Sequence, residues 1–311
     1  MLKPRALRSG DRIALVAPAS PFSRESFDAG VAELRRLGYE PVYDDSVFAR
    51  HRYLAGDAAV RADSFRRAWT DPSIAALMAV RGGYGSVHLL PRLDAQEIAR
   101  TPKAFIGYSD NTSLLDFLTG RCGVVSFHGP MIDGRLAKGE QAYDRDSFAR
   151  VLTQPSPAGC LKPPQLEALR GGEAAGVLVG GTLTQLMASL GTPYAFMPPG
   201  ECVLFLEDVN ERPYRLERML TQLRQAGVLA RARALVFGEM RGCDEADGRV
   251  TAADAIREAT QDFTGPILFG FPSGHTAGPC WTLPLGALVR VVGAPSPAVV
   301  IEEGAVEPAV V

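Results

Sequence analysis

The chain has 311 residues, 46% of them apolar, with 33 Lys and Arg against 35 Asp and Glu. That length exceeds what one hydrophobic core usually serves, so it predicts two domains, and the apolar content is ample for both. Balanced charge without a basic block argues against a nucleic-acid or membrane-surface footprint and points to a small-molecule partner.

The five cysteines, at 122, 160, 202, 243 and 280, are scattered, with no C-x-x-C and no zinc spacing, and predict reduced thiols and no metal site. No apolar run approaches the roughly 20 residues of a membrane span. Lys3, Arg5, Arg8 and Arg12 ahead of an apolar run imitate a signal peptide. Pro18 ends that run too early, however, so a first buried strand and a cytoplasmic location are the expectation.

In chain order, residues 13–17 predict a strand and 24–37 a helix, with Phe27, Val31 and Leu34 at helical spacing and Gly38 as its stop. Residues 40–43 predict a strand, 57–70 a helix, 75–79 a strand, 85–90 a helix and 104–106 a strand. A sharp turn, Gly107-Tyr108-Ser109-Asp110, and a helix over 111–118 follow. This βα repeat predicts a parallel sheet flanked by helices, flavodoxin- or Rossmann-like, over residues 1–150. Ligands gather beyond the carboxyl ends of such strands, where residues 81–85 and 108–110 fall. Pro155, Pro157, Gly159, Pro163 and Pro164 mark a connection over 151–172. Residues 173–311 predict a second α/β domain rich in β structure. Its expected strands are 177–179, 202–206, 234–237 and 267–269, its helices 184–190 and 214–226, and 285–292 with 298–301 form a closing β pair.

A serine on a strand-to-helix turn presents its hydroxyl beside helix N–H groups, as a nucleophile requires, although Ser109 at a helix start also suits an N-cap. Such a hydroxyl needs a base, and the base needs an orienting acid. His275, in the small-residue turn Ser273-Gly274-His275-Thr276, has the best setting of the four histidines, with His128 its rival. Glu207 closes an apolar strand, with Asp208, Glu211 and Asp110 competing for the acid's part. The N–H groups of Gly83 and Asp110 sit where an oxyanion hole would need them, while the same glycines also serve a plain turn. No G-x-x-x-x-G-K-S/T and no G-x-G-x-x-G opens the first helix, so no nucleotide cofactor is expected. An α/β-hydrolase elbow wants a small residue two after the serine, and Asn111 stands there.

Gly107-Tyr108-Ser109-Asp110, Leu206-Glu207-Asp208 with Glu211, and Gly274-His275-Thr276 resemble the Ser, Glu and His motifs of the LD-carboxypeptidase family of serine peptidases. Gly10-Asp11-Arg12-Ile13, Arg81-Gly82-Gly83-Tyr84-Gly85, Phe127-His128-Gly129-Pro130 and Gly180-Gly181-Thr182-Leu183 extend the resemblance over nearly the whole chain. It implies a Ser109, Glu207 and His275 triad in a cleft between the domains, with Glu207 as the acid. It also implies release of terminal D-alanine from muropeptide tetrapeptides in peptidoglycan recycling, no cofactor, and a homodimer. Arg81, Arg212 and Arg215 are possible partners of the substrate carboxylate. A second branch of that family resembles a microcin immunity peptidase acting on aminoacyl-nucleotide amides, with an aromatic clamp between its Ser and Glu. Here neither Trp69 nor Trp281 lies in that segment. A binding protein that keeps the fold without turnover is the remaining alternative.

Overall fold

The structure, a computed structural model, describes residues 1–309. The first sheet is built from β1 (Arg12–Val16), β2 (Glu40–Val42), β3 (Ile74–Ala79), β4 (Ala104–Gly107) and β5 (Ser126–His128), in the order β5-β4-β3-β1-β2 with all neighbours parallel. Between these strands run α1 (Arg24–Arg36), α2 (Ala58–Thr70), α3 (Ala95–Arg100) and α4 (Thr112–Asp116). Ser23 starts α1 by accepting the Ser26 N–H, and Phe27, Val31 and Leu34 bury its apolar stripe. Every residue of β3 is buried, as a parallel strand covered on both faces must be.

Two helices expected from the sequence differ in kind. Residues 86–92 form a 3-10 helix, since Pro91 lies inside it and cannot donate to an α-helical ladder. The helix after Ser109 is a 3-10 turn over Ser109–Asn111, then α4, then a π turn over Phe117–Arg121.

The remaining elements are α5 (Arg145–Thr153), β6 (Gly159–Leu161), β7 (Glu167–Arg170), β8 (Glu173–Thr182), α6 (Leu183–Ser189), β9 (Cys202–Glu207), α7 (Pro213–Gln225), β10 (Ala232–Gly238), α8 (Ala252–Ala259), β11 (Ile267–Phe271), β12 (Leu283–Leu285), β13 (Leu288–Val292) and β14 (Ala298–Ile301). The second sheet runs β6-β14-β13-β8-β9-β10-β11-β7, parallel from β8 to β11 and antiparallel outside. The proline-rich stretch supplies both of its edges, β6 and β7, where missing N–H groups cost no ladder bond.

Residues 285–292 are not one strand. Gly286, at φ +97°, breaks the run: β13 pairs with β14 as expected, whereas β12 turns to the first sheet and pairs antiparallel with β5, Leu283 opposite His128. Strand β9 shows how the domains meet. Val203 and Phe205 join the core shared with the first domain, while Cys202, Leu204 and Leu206 join the core beneath α6, α7 and α8. With its two faces committed to different cores, β9 delivers its last residue, Glu207, to the seam between the domains.

Candidate active site

Ser109 adopts φ +64°, in the left-handed region that a non-glycine residue holds only at a cost of roughly 1–3 kcal/mol when its surroundings enforce it. Several bonds do so. Asp110 is buried; its Oδ2 accepts the Ser86 N–H at 2.8 Å and its carbonyl accepts the Ser86 hydroxyl at 2.6 Å. Asn111 Nδ2 donates to the carbonyls of Arg81 and Tyr108, both at 3.2 Å. The glycine loop is thereby tied to the serine turn. No side-chain cap bond starts either helical segment, so the Ser109 hydroxyl is not spent on capping.

Gly82 lies flush against the serine. A Cβ there would sit 2.9 Å from Ser109 Oγ and 3.4 Å from Asp110 N, so only glycine leaves this space open. Ser20 Oγ accepts the Tyr84 N–H at 3.1 Å and holds the loop. Burial pushes the Asp110 carboxyl up, against the pull of its Ser86 hydrogen bonds.

Glu207 is 1% exposed. Its Oε2 accepts the His275 backbone N–H at 2.9 Å and faces His275 Nδ1 at 2.8 Å, and its Oε1 accepts the Thr182 hydroxyl. Burial alone would push this carboxyl up, but the charge and hydrogen bond of the His275 imidazole, with the Thr182 hydroxyl, hold it down at about 2. An ionised carboxylate only accepts, so Nδ1 carries the proton and Nε2 is left for other work. Burial lowers the affinity of His275 for a second proton; the Glu207 charge and hydrogen bond outweigh it, and the net direction is upward.

The His275 loop is held from both sides. Gly274, at φ +83°, abuts the acid: a Cβ there would lie 2.6 Å from Glu207 Cδ and 2.9 Å from His128 Cε1. Arg135, itself buried, donates to the carbonyls of Gly274 at 2.7 Å, Thr276 at 2.9 Å and Gly278 at 3.1 Å. Its guanidinium lies 5.9 Å over the Tyr108 ring, and Tyr108 meets the His275 ring edge to face at 5.1 Å. Among the described residues Ser109 Oγ makes no hydrogen bond, and Tyr108, its neighbour in the chain, makes the contact with the imidazole. A cleft of about 500 Å³ opens here, lined by Tyr108, Arg135, Lys138, Arg241 and His275 among others.

The rivals have other employment. His128 is fully buried, its Nδ1 2.8 Å from Ser273 Oγ; burial drives its pKa down to about 4, so it is neutral and its 3.9 Å approach to Glu207 is no ion pair. Asp208 accepts the Thr184 N–H and hydroxyl at the start of α6. Glu211 pairs with Arg215, Arg212 with Glu245, and Arg81 lies 3.7 Å from Asp133. Sequence reasoning did not single out Thr182 or Arg135. Thr182 N–H also donates to Thr112 Oγ1 at 3.1 Å, so one residue bonds both the acid and the helix that follows Ser109. Its place in Gly180-Gly181-Thr182-Leu183 was the available signal. Among the described residues no cluster of three or more His, Cys, Asp or Glu is arranged to hold a metal, and no helix is long and apolar enough to cross a membrane.

The family model of the LD-carboxypeptidase N-terminal domain matches residues 13–129, and that of the LD-carboxypeptidase C-terminal domain matches residues 175–291. The murein tetrapeptide carboxypeptidase of Pseudomonas aeruginosa is 32% identical over 273 residues, covering 86% of this chain and 88% of that one. The crystal structure of muramoyltetrapeptide carboxypeptidase from Oxalobacter formigenes superposes with a TM-score of 0.83 at 29% identity, over 96% of this chain and 100% of that one. The microcin C7 self-immunity protein MccF of Escherichia coli is 28% identical over 88% of each chain. The structure of MccF in complex with aspartyl sulfamoyl adenosine matches with a TM-score of 0.92 at 25% identity, over 99% of this chain and 100% of that one. With both of its halves matched in order, this chain belongs to the LD-carboxypeptidase family of peptidases.

Proposed function

We propose that the protein is a serine-type LD-carboxypeptidase that releases the terminal D-alanine of muropeptide tetrapeptides, working in the cytoplasm as a homodimer. The observation that carries this reading is the Glu207 and His275 pair. A buried carboxylate grips the imidazole by ring and backbone at 2.8 and 2.9 Å, and that imidazole packs on Tyr108, whose neighbour in the chain is the serine held on a left-handed turn. In the proposed reaction Ser109 Oγ attacks the scissile carbonyl carbon while His275 Nε2 takes its proton. Glu207 stays ionised and stabilises the imidazolium. The N–H groups of Gly83 and Asp110 receive the oxyanion. His275 then protonates the departing D-alanine amine, and water, deprotonated by the same imidazole, releases the acyl group.

Arg241 and Lys138 line the cleft with His275 and have no ion-pair partner among the described residues, so they are the cations available to the free terminal carboxylate. They replace Arg212 and Arg215, which are engaged with Glu245 and Glu211.

The close match to MccF supports a second reading, hydrolysis of aminoacyl-nucleotide amides. Against it, the segment between Ser109 and Glu207 contains no tryptophan to stack on a base. Mass spectrometry of the wild type with three substrates separates the readings: an L-Ala-D-Glu-diaminopimelate-D-Ala tetrapeptide, its counterpart ending in L-alanine, and aspartyl sulfamoyl adenosine. The proposal expects loss of D-alanine from the first alone. Cleavage of the third alone would overturn it in favour of the second reading.

A further inference from the structure

Arg61, in α2, is 3% exposed and has no ion-pair partner among the described residues; Asp110 and Asp57 attract it only from farther away. A buried cation is costly unless its donors are used. Four of its five N–H groups are: Nε donates to the Gly56 carbonyl at 3.0 Å, Nη1 to the carbonyls of Pro18 and of Gly85, the latter at 2.7 Å, and Nη2 to His88 Nδ1 at 3.3 Å. A guanidinium only donates, so His88 Nδ1 accepts and the ring carries its proton on Nε2, which faces the Tyr84 hydroxyl at 3.3 Å.

These acceptors belong to the loops that surround the serine turn. Pro18 follows β1, Gly56 leads into α2, and Gly85 ends the glycine loop after β3. The first and last of these loops also meet directly, through the Ser20 N–H on the Gly82 carbonyl at 3.2 Å and the Tyr84 N–H on Ser20 Oγ. Ser86, next after Gly85, makes both bonds to Asp110. Gly85 takes φ +121°, and a Cβ there would lie 3.0 Å from Arg61 Nη1. Among the described residues neither the Gly83 N–H nor the Asp110 N–H has an acceptor, as donors kept for an oxyanion require. The two come from separate segments of chain, so their spacing is set by whatever ties those segments together.

We propose that Arg61 is a positioning residue for the oxyanion hole. Its planar fork fixes the glycine loop against the loops after β1 and before α2, and thereby the Gly83 N–H relative to that of Asp110, without touching substrate. The proposal rests on the serine-peptidase reading and adds to it a residue of α2 on which transition-state stabilisation depends. A displacement of about 1 Å in such a donor costs about 100-fold in rate.

Arg61→Ala is compared with wild type in two assays: D-alanine release from the tetrapeptide, and labelling of Ser109 by a fluorophosphonate, which draws on the oxyanion hole without peptide binding. Both kcat and the labelling rate should fall about 100-fold with KM within about threefold, and guanidinium chloride well below denaturing concentration should restore at least about tenfold of each. A side chain that only stabilises the fold would lower the melting temperature and leave the rates of the folded variant unchanged. Rates within about threefold of wild type, or a loss that guanidinium leaves unrepaired, overturn the proposal. Should Arg61→Ala not fold, Arg61→Lys keeps the charge and replaces the fork by a single nitrogen; a fall of at least about tenfold in kcat is expected, and a wild-type kcat overturns the proposal. A wild type that is labelled yet releases no D-alanine marks a failure of the carboxypeptidase reading alone, and the labelling comparison still decides the part played by Arg61.

Discussion

Replacing Glu207 by glutamine removes the charge of the acid and keeps its shape. Oε2 accepts both the His275 backbone N–H, at 2.9 Å, and the ring Nδ1–H, at 2.8 Å, whereas Oε1 faces only the Thr182 hydroxyl. The amide oxygen therefore settles in the Oε2 place, because an NH2 there would face a backbone donor, and the new NH2 meets Thr182 Oγ1, which is able to accept. The tautomer of His275 survives, and what is lost is the attraction between a carboxylate and the imidazolium formed during attack. Amidation that inverts the tautomer in a serine protease costs about 10⁴ in kcat. Here the loss should be smaller, about 10²- to 10³-fold, or about 3–4 kcal/mol of barrier.

Stability and pH dependence move with it. Glu207 titrates at about 2 in the folded chain against 4.5 ordinarily, so its contribution of about 3 kcal/mol is fully present above pH 4.5 and lost as pH falls through 2. Glu207→Gln lacks that contribution and that slope. Because the carboxylate is what raises His275, the acid limb of kcat/KM should move to lower pH in the variant. Rate profiles from pH 5 to 9 and urea unfolding at pH 7 and pH 3 give all three numbers. Activity within about threefold of wild type with an unmoved acid limb would refute the reasoning.

Gly274→Ala places a Cβ 2.6 Å from Glu207 Cδ at φ +83°, and should cost at least about 100-fold in kcat/KM and lower the melting temperature; a wild-type melt with full activity would contradict the packing described. Thr182→Val removes one hydroxyl bond to Glu207 and leaves the backbone bond to Thr112, so about 1 kcal/mol, or up to about tenfold in kcat, is expected in steady-state assays. His128 stays neutral in the folded chain to about pH 4, while the unfolded chain binds its proton near 6.5; stability should therefore fall by about 3 kcal/mol as pH drops through that window. Urea unfolding of His128→Gln across the same window should show this slope removed.

The fold class was legible because each early strand ended where a helical period began, and strands buried on both faces are written as unbroken apolar runs such as Ile74–Ala79. Strand β12 was hidden. Leu283–Leu285 has the composition of the run that follows it, and only the pairing of Leu283 with His128 reveals that it closes the other sheet. The 3-10 and π segments around α4 were equally hidden, since neither leaves a hydrophobic period distinct from an α-helix. Within the site, Ser109, Glu207 and His275 stood out by their positions at strand ends and small-residue turns. Thr182 and Arg135 did not, because what distinguishes them is a partner far away in sequence.

The most direct measurement is the initial rate of D-alanine release from the tetrapeptide by wild type and by Ser109→Ala, with circular dichroism showing both folded. The account predicts release by the wild type and a fall of at least about 10³-fold in the variant. Equal rates in the two proteins would contradict it, because Ser109 could then not be the nucleophile that Glu207 and His275 serve.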